Sequence, residues 1–562
     1  MKSLVKITGL LFAVMLIVSS CKKSVPKQIN HIPKDATVVF SVNAKQLQDK
    51  LAKGNLSIDS LVKLFADVSR ASDKLQKMDD LKNSGIDWSS DLYVFMQSKG
   101  SVMMGQNVVA GAIAATSDAS KFEAFIKKQS ASIEVKKGTD YSFAKLDDNL
   151  LVGWNKELVI AVSAKASRGF SSSGATTPDN NSDEQTLASL FGMKEADAVA
   201  SISEFRDLMQ QKSDATFWTN SSAALAAVPM LGMTKATDLL NETYTATTIS
   251  FEDGKVTGDS KYYLSKALID ILKKHKSPDV DYSMIEHYPS NNISGYGLLS
   301  FDPQIIGDIV RFSGLDATVN QFLAKEGLTM DDVLKAFKGD FSFVYSDFET
   351  KEQPSAWDST IKIKQPTGKY LLNIKVGDKA SFEKVAAVAV KDGMLTKQGN
   401  TYVPAMQSSK FDAVIDDKNI LVASDNPTLQ QYKAGSAKIG LEGDAKDQPK
   451  GKSLVFFVDI AKLLNGTPAT DKDDVAITNQ AKATFKSLLL NTDGFNGKTI
   501  TSHGELRTVN DKENSLVSLV KFFSAVNEKE KQRRANEPTI DNALDSVASP
   551  TIVDSAAVSP AH

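Results

Sequence analysis

Two spacings of apolar residues alternate along most of this 562-residue chain. A period of two marks stretches such as 141–146 and 501–506, which predicts strands. Elsewhere the spacing is helical: Phe122 and Ile126 fall on one face after Asp118, whose carboxylate suits a helix N-cap. The pattern therefore predicts a succession of short strands and short helices.

The connections between the predicted strands are short and polar. Asp253-Gly254 has the residue types of a two-residue hairpin turn, and Asn155-Lys156 joins two further strands. Hairpins with no regular helix between successive strands argue against a parallel sheet. We therefore predict an α+β fold, in which mainly antiparallel sheets carry helices packed on one face.

The pattern occurs twice along the chain. Asp118-Ala-Ser-Lys-Phe122 matches Asp378-Lys-Ala-Ser-Phe382, 260 residues further on, and later matches keep this spacing to within one residue. Those later matches are Gly138 with Gly399, Tyr141 with Tyr402 and Ser163 with Ser424. The opening strand at 38–42 has a counterpart at 297–301. We predict two homologous halves, residues 36–276 and 290–526.

Three segments fall outside this regular pattern. Residues 167–185, rich in Ser, Thr and Asn, are expected to form a mobile insert in the first half. Residues 527–562 begin as a charged helical extension and continue as a tail without aromatic residues, which we expect to be disordered. Residues 21–35 contain prolines and lysines without an apolar period and are predicted to be a tether.

The first 20 residues have the organisation of an export signal. Lys2 and Lys6 precede an apolar stretch at 7–18, which is too short for the roughly 20 residues that a membrane-spanning helix needs. Val18-Ser-Ser-Cys21 follows and resembles the bacterial lipobox. The resemblance implies cleavage after Ser20 and lipid attachment to Cys21, the only cysteine. The alternative is an ordinary secretory signal with an incidental cysteine.

Charge and composition exclude several functions. The 66 basic and 68 acidic side chains nearly cancel, so nucleic-acid binding through a basic face is not expected. The five histidines are scattered and lack metal-ligand spacing; they are His31, His275, His287, His503 and His562. Phosphate-loop and nucleophile-elbow motifs are incomplete or absent. We therefore predict no catalytic, cofactor-binding or metal-binding residues and favour a protein that is not an enzyme.

Aromatic and acidic residues leave two weaker hypotheses. Trp357 lies in a polar stretch and is the tryptophan that we select as a ligand contact. Adjacent acids such as Asp79-Asp80 and Asp331-Asp332 point apart on a strand or helix, so catalysis would require carboxylates that only the fold brings together. A cleft with two facing carboxylates would favour an enzyme, and an apolar groove would favour binding.

With the lipobox, the His31-Ile-Pro-Lys-Asp-Ala36 opening and the repeated pattern, the chain resembles a family of two-repeat lipoproteins from Bacteroides and relatives (Bacteroidota), known as a domain of unknown function. The resemblance implies attachment to a cell-envelope membrane through the N-terminal lipid. Lys22 and Lys23, without nearby acids, favour the outer membrane facing the periplasm over the cell surface.

These observations lead to one main hypothesis and one alternative. The main hypothesis is a binding or scaffolding protein whose ligand, a protein or a glycan, occupies a cleft between the halves. The alternative is a hydrolase of envelope polysaccharide or peptide that uses carboxylates assembled by the fold.

Overall fold

The structure, a computed structural model, describes residues 25–60, 78–101, 105–147, 150–167, 182–222, 235–355, 358, 360–406, 411–467 and 472–536. The predicted signal, Ser20, Cys21, most of the insert at 167–185, Trp357, and the end of the chain from 537 with His562 lie outside these residues.

Twenty strands and fifteen α-helices are present in the described part of the chain. The strands are β1 (Val38–Asn43), β2 (Asp91–Ser101), β3 (Gly105–Ala115), β4 (Val135–Lys137), β5 (Ser142–Asp147), β6 (Leu150–Trp154), β7 (Leu158–Ser167), β8 (Ala215–Asn220), β9 (Tyr244–Glu252), β10 (Lys255–Tyr263), β11 (Ile293–Ser300), β12 (Phe337–Pro354), β13 (Lys362–Val376), β14 (Leu395–Gln398), β15 (Thr401–Pro404), β16 (Asp412–Ile415), β17 (Asn419–Ala423), β18 (Lys452–Asp459), β19 (Phe485–Asp493) and β20 (Thr499–Thr508). The helices are α1 (Ala44–Lys53), α2 (Met78–Lys82), α3 (Ala119–Gln129), α4 (Ser182–Phe191), α5 (Ser203–Met209), α6 (Lys266–Leu272), α7 (Ser283–Glu286), α8 (Gln304–Phe312), α9 (Asp316–Ala324), α10 (Met330–Ala336), α11 (Lys379–Lys391), α12 (Asn426–Ala434), α13 (Ile460–Leu464), α14 (Lys472–Thr484) and α15 (Ser515–Asn536).

Local sequence explains where several elements begin and turn. The Asp118 carboxylate accepts hydrogen bonds from two backbone amides of α3, and the Asp378 carboxylate caps α11 by accepting one from the Ser381 amide. The predicted Asp253-Gly254 hairpin joins β9 to β10. Gly254 has φ +76°, and a Cβ there would lie 2.7 Å from the Asp511 Cα, so only glycine fits.

All twenty strands belong to one antiparallel sheet, so the predicted α+β fold is confirmed. The strand order across the sheet is β4-β5-β6-β7-β3-β2-β1-β8-β9-β10-β20-β19-β18-β11-β12-β13-β17-β16-β15-β14. Strands β1–β10 and β11–β20 are paired in the same order, and the two sets meet where β10 pairs with β20. Nine residues of each strand form this ladder, with Asp259 opposite His503 at its centre.

Helices also connect the two sets of strands. Helix α6, which follows β10, contacts α8, and α15, which follows β20, contacts α1. In the second contact Leu47 and Leu51 pack on Leu516 and Val520. The two sets of strands are therefore joined by a continuous ladder and by reciprocal helix contacts, and the open cleft predicted between the halves is absent along this ladder.

Two large apolar cores lie on one face of the sheet. The first surrounds Trp218, Tyr93 and Phe205, and the second surrounds Tyr296 and Phe457. The other face also carries helices, because Val39 faces the first core while Val42 of the same strand packs beside α1 and α15. The prediction of helices on one face was therefore wrong.

The prediction of a tether at 21–35 is wrong for residues 25–35. Residues Lys27–His31 form a 3-10 helix, and Ile29 and Ile32 are fully buried in the first core. Val25 packs against the same core. Residues 25–35 therefore belong to the folded body, although they show no apolar period.

Candidate functional site

One surface of the sheet leaves large apolar side chains exposed. Alternation along β1 turns Val39 into the first core and Phe40 to the opposite face. Phe40 lies opposite Val94 of β2 and Phe217 of β8, and Met96 lies two residues beyond Val94. These four side chains, which we call the first patch, are 37% to 50% exposed.

A second patch occupies the other half of the sheet. Gly297 of β11 lies opposite Phe343 of β12 and Phe456 of β18, and Phe456 lies opposite Leu490 of β19. The three side chains are 38% to 42% exposed. Gly297, which has no side chain, lies between the two phenylalanines in the strand pairing. We call Phe343, Phe456 and Leu490 the second patch.

The two patches take the same place in the strand pairing. Val94 corresponds to Phe343, Phe217 to Phe456 and Phe40 to Gly297. The sequence repeat aligned Val38 with Gly297, whereas the strand pairing aligns Phe40 with Gly297. The alignment therefore shifts by two residues, which keeps each residue on the same face of the sheet.

Hydroxyl groups separate the patches on this face. The Thr247 and Ser260 hydroxyls are 2.8 Å apart, as are those of Thr492 and Ser502. The surface therefore consists of two apolar patches with a polar strip between them. Contiguous patches of exposed apolar residues often mark interaction sites, whereas single scattered ones do not.

Two adjoining cavities on the described surface are lined mainly by polar and charged side chains. The larger, of about 750 Å³, is lined by Lys34, Asp35, Asp197, Asn220, Ser222, Asn241, Glu242 and Tyr244. The smaller, of about 360 Å³, shares Glu242 and Tyr244 and also includes Glu204 and Thr499. Of these two cavities, only the smaller is lined by residues of both sets of strands, so it is the one that corresponds to the predicted cleft between the halves.

The backbone and the charges of the larger cavity are unusual. Glu242 has φ +53°, a left-handed conformation that costs free energy for a non-glycine residue. Burial raises the pKa of Tyr244, and the carboxylates of Glu242 and Glu204 raise it further. The Tyr244 hydroxyl therefore stays protonated at neutral pH, and the cavity offers carboxylates, amides and hydroxyls to a polar ligand.

A network of charged side chains crosses the β10–β20 ladder. Glu505 is 7% exposed and receives hydrogen bonds from Arg507 and from Lys255 of the neighbouring strand. Arg507 also donates to Asp444 at 2.6 Å. Burial raises the pKa of Glu505, but the hydrogen bonds from Arg507 and Lys255 outweigh it and hold the pKa below its usual range. The network joins the two sets of strands, so we assign it a structural role.

Replacing Glu505 with glutamine is expected to lower the free energy of unfolding at pH 7 by about 1.5–3 kcal/mol, because Lys255 and Arg507 lose a charged acceptor. The pKa of Glu505 is lower in the folded state than in the unfolded state, where it is about 4.3, so the ionised side chain stabilises the fold above that pH. This stabilisation is lost as the pH falls through the folded-state pKa. The difference between Glu505→Gln and wild type should therefore shrink in acid, measured by urea unfolding from pH 7 to pH 3.

The matched control for this prediction is Asp259→Asn at the centre of the same ladder. Asp259 is exposed and its bond to His503 is worth about 1 kcal/mol or less. An acid profile of Glu505→Gln that parallels wild type would contradict the assignment.

The described histidines make local contacts. His31 Nδ1 donates to the Leu190 carbonyl at 2.8 Å, and His287 Nδ1 donates to the Ala437 carbonyl at 3.1 Å. His275 lies between Asp302 and Asp308 where α6 meets α8. Within the described residues no group of three or more His, Cys, Asp or Glu side chains is arranged so that it could hold a metal ion.

Burial of Asp308 raises its pKa, but hydrogen bonds from His275 and Arg311 outweigh it and hold the pKa low. The carboxylate is thus held by His275 and Arg311 where α6 meets α8. Trp154 and Trp218 are buried, so neither is a ligand contact.

Comparison with known proteins identifies the family. Residues 28–515 match a family described as a domain of unknown function, DUF4836. The chain belongs to this family. No curated protein matches the sequence. No helix in the described ranges is long and apolar enough to cross a membrane.

Solved structures of TP0453 are similar to part of the DUF4836 chain. Crystal form III is 9% identical with a TM-score of 0.25, and covers 46% of this chain and 89% of that one. Crystal form IV is 9% identical with a TM-score of 0.24, and covers 45% and 86%.

Proposed function

We propose that this DUF4836 protein is an exported lipoprotein of a bacterial cell envelope that acts by binding and not by catalysis. In this proposal residues 1–20 are removed as a signal and Cys21 carries the lipid. The organism belongs to the Bacteroidota, and the protein is held on the outer membrane facing the periplasm. The lipobox Val18-Ser-Ser-Cys21 and the basic residues after it support the proposal.

We further propose that the two sets of ten strands arose by duplication. Their identical pairing order supports this, as do the Asp118 and Asp378 helix caps. A second copy of the opening motif adds to it: His31-Ile-Pro33 recurs as His287-Tyr-Pro289, and each histidine bonds a backbone carbonyl. On this proposal the halves begin near Lys27 and Ser283.

The observation that carries the binding role is the pair of apolar patches on one sheet face. The proposed occupant is a protein that presents an apolar surface. A small apolar ligand needs an enclosed apolar pocket, and the two adjoining cavities described above are lined mainly by polar and charged side chains. An open sheet face with large side chains instead suits the broad contact of a protein interface, in which aromatic side chains contribute most.

Site-specific photocrosslinking tests this role in living cells. A photoreactive phenylalanine analogue is placed at Phe217 or Phe456, with Met394 as the matched control, an exposed apolar residue in the turn between α11 and β14. We expect the same discrete protein adduct from Phe217 and Phe456 and none from Met394. Adducts to lipid alone, or equal adducts from all three positions, would contradict a protein partner.

The hydrolase remains as a second candidate because four carboxylates line the two polar cavities, those of Asp35, Asp197, Glu204 and Glu242. A hydrolase would release products from envelope polysaccharide or peptidoglycan, and Glu242→Gln or Glu204→Gln would abolish that release. The absence of product release by the purified wild-type protein would favour the binding role.

A further inference from the structure

The distance between the proposed lipid and the folded body is short. Val25 packs against the first core and the 3-10 helix at Lys27–His31 follows directly. Only residues 22–24 separate Val25 from Cys21. A fully extended chain spans at most about 3.6 Å per residue, so Val25 stays within roughly 14 Å of Cys21. The 15-residue tether suggested by the sequence would have reached roughly 50 Å.

From this distance we propose that the body lies directly on the bilayer, with the residues around Lys27 against the lipid headgroups. The inference rests on the proposed lipidation of Cys21. The occupant is the surface of an anionic phospholipid bilayer. The length of chain beyond the described residues fixes the distance, and the point where that chain enters the body fixes which surface faces the lipid.

The residues beside the entry point show which surface that is. Lys27 Nζ lies 3.2 Å from the Glu157 carboxylate, in the turn between β6 and β7, and both side chains are exposed. Lys156 of the same turn is also exposed. The described surface beside the entry point thus carries Lys27, Lys156 and Glu157, and Lys22 and Lys23 precede Val25 in the sequence.

Each lysine near an anionic membrane surface contributes about 1 kcal/mol of attraction. The attraction acts together with the lipid, since acyl chains restrict the body to the surface and the lysines orient it there. The β6–β7 turn is therefore the part of the body expected at headgroup depth.

The sheet offers a matched control at its other end. The turn between β16 and β17 contains Asp417, which takes the place of Lys156 in the pairing of β6 with β7. Strands β7 and β17 are thirteen positions apart in the sheet order, or about 60 Å along the sheet. Asp417 is exposed, as Lys156 is. A label at each turn therefore reports on opposite ends of the sheet.

The test uses the full lipidated protein reconstituted into phosphatidylglycerol-containing vesicles that carry headgroup nitroxide lipids. Lys156→Cys and Asp417→Cys are each labelled with a fluorophore, since the thiol of Cys21 is blocked by the lipid. We expect quenching at 156 to exceed quenching at 417 at least threefold. Inserting a 20-residue Gly/Ser linker after Ser24 adds roughly 25 Å of reach and should reduce quenching at 156.

The outcomes separate this inference from the proposal on which it rests. Protein that does not float with the vesicles overturns the lipid anchor and the inference together. Protein that floats but is quenched equally at both labels, or whose quenching at 156 is unchanged by the linker, overturns only the placement on the bilayer.

Discussion

Replacing Trp218 with alanine is expected to lower the free energy of unfolding by about 3–5 kcal/mol. Trp218 is fully buried and meets the Phe205 ring edge-on, with the ring centroids 5.3 Å apart. It also stacks on Tyr244 at 4.8 Å. Removing the indole leaves a cavity in the first core that the sheet cannot close. Urea unfolding followed by circular dichroism measures the change.

The neighbouring residue in β8 provides the control. Phe217 is 37% exposed on the opposite face, so Phe217→Ala should cost about 1 kcal/mol or less. Equal destabilisation by the two variants would mean that the face with the patches is a second packed core, and the case for a binding surface would fail.

Replacing Cys21 with serine is expected to release nearly all of the protein from the membrane fraction or to leave it as an unprocessed precursor. Burying acyl chains is worth about 0.8 kcal/mol per methylene, so two or three chains hold a protein durably and their loss is decisive. Fractionation and immunoblotting of cells that express the variant measure the effect.

The control for this prediction is a substitution at a neighbouring serine of the lipobox. Ser19→Ala keeps a small residue before Cys21 and should leave processing and membrane attachment unchanged. Membrane attachment of Cys21→Ser equal to wild type would contradict a lipid anchor at this residue.

Local signals in the sequence predicted the α+β fold and several of its elements. The helix after Asp118 is α3, with Phe122 and Ile126 buried, and the Asp253-Gly254 turn joins β9 to β10. These succeed because an N-cap carboxylate and a turn glycine act within a few residues of their own position.

The sequence did not predict that all of the strands described here join into one sheet. The β10–β20 ladder pairs residues about 244 positions apart, such as Asp259 with His503. No local feature of the sequence shows whether an edge strand pairs with a distant strand or remains exposed to solvent. The single sheet therefore emerges only from the whole fold.

The apolar patches were missed for a related reason. In Val38-Val-Phe-Ser-Val42 both odd-numbered and even-numbered positions carry apolar residues, which is also the pattern of a strand buried on both faces. Only the neighbours in space show that Phe40 is left partly uncovered.

The buried start of the body was missed because Ile29 and Ile32 are two isolated apolar residues among polar ones. One signal was available, the second His-x-Pro motif at His287, which under the proposed duplication assigns this segment to the start of a repeated unit.

The mass of the mature N-terminus, measured on protein purified out of membranes, tests the proposed lipid anchor. We expect a chain that begins at Cys21 and is heavier than the unmodified polypeptide by a diacylglyceryl group and an added acyl chain. A mature protein that retains residues 1–20, or one with an unmodified thiol on Cys21, would contradict it.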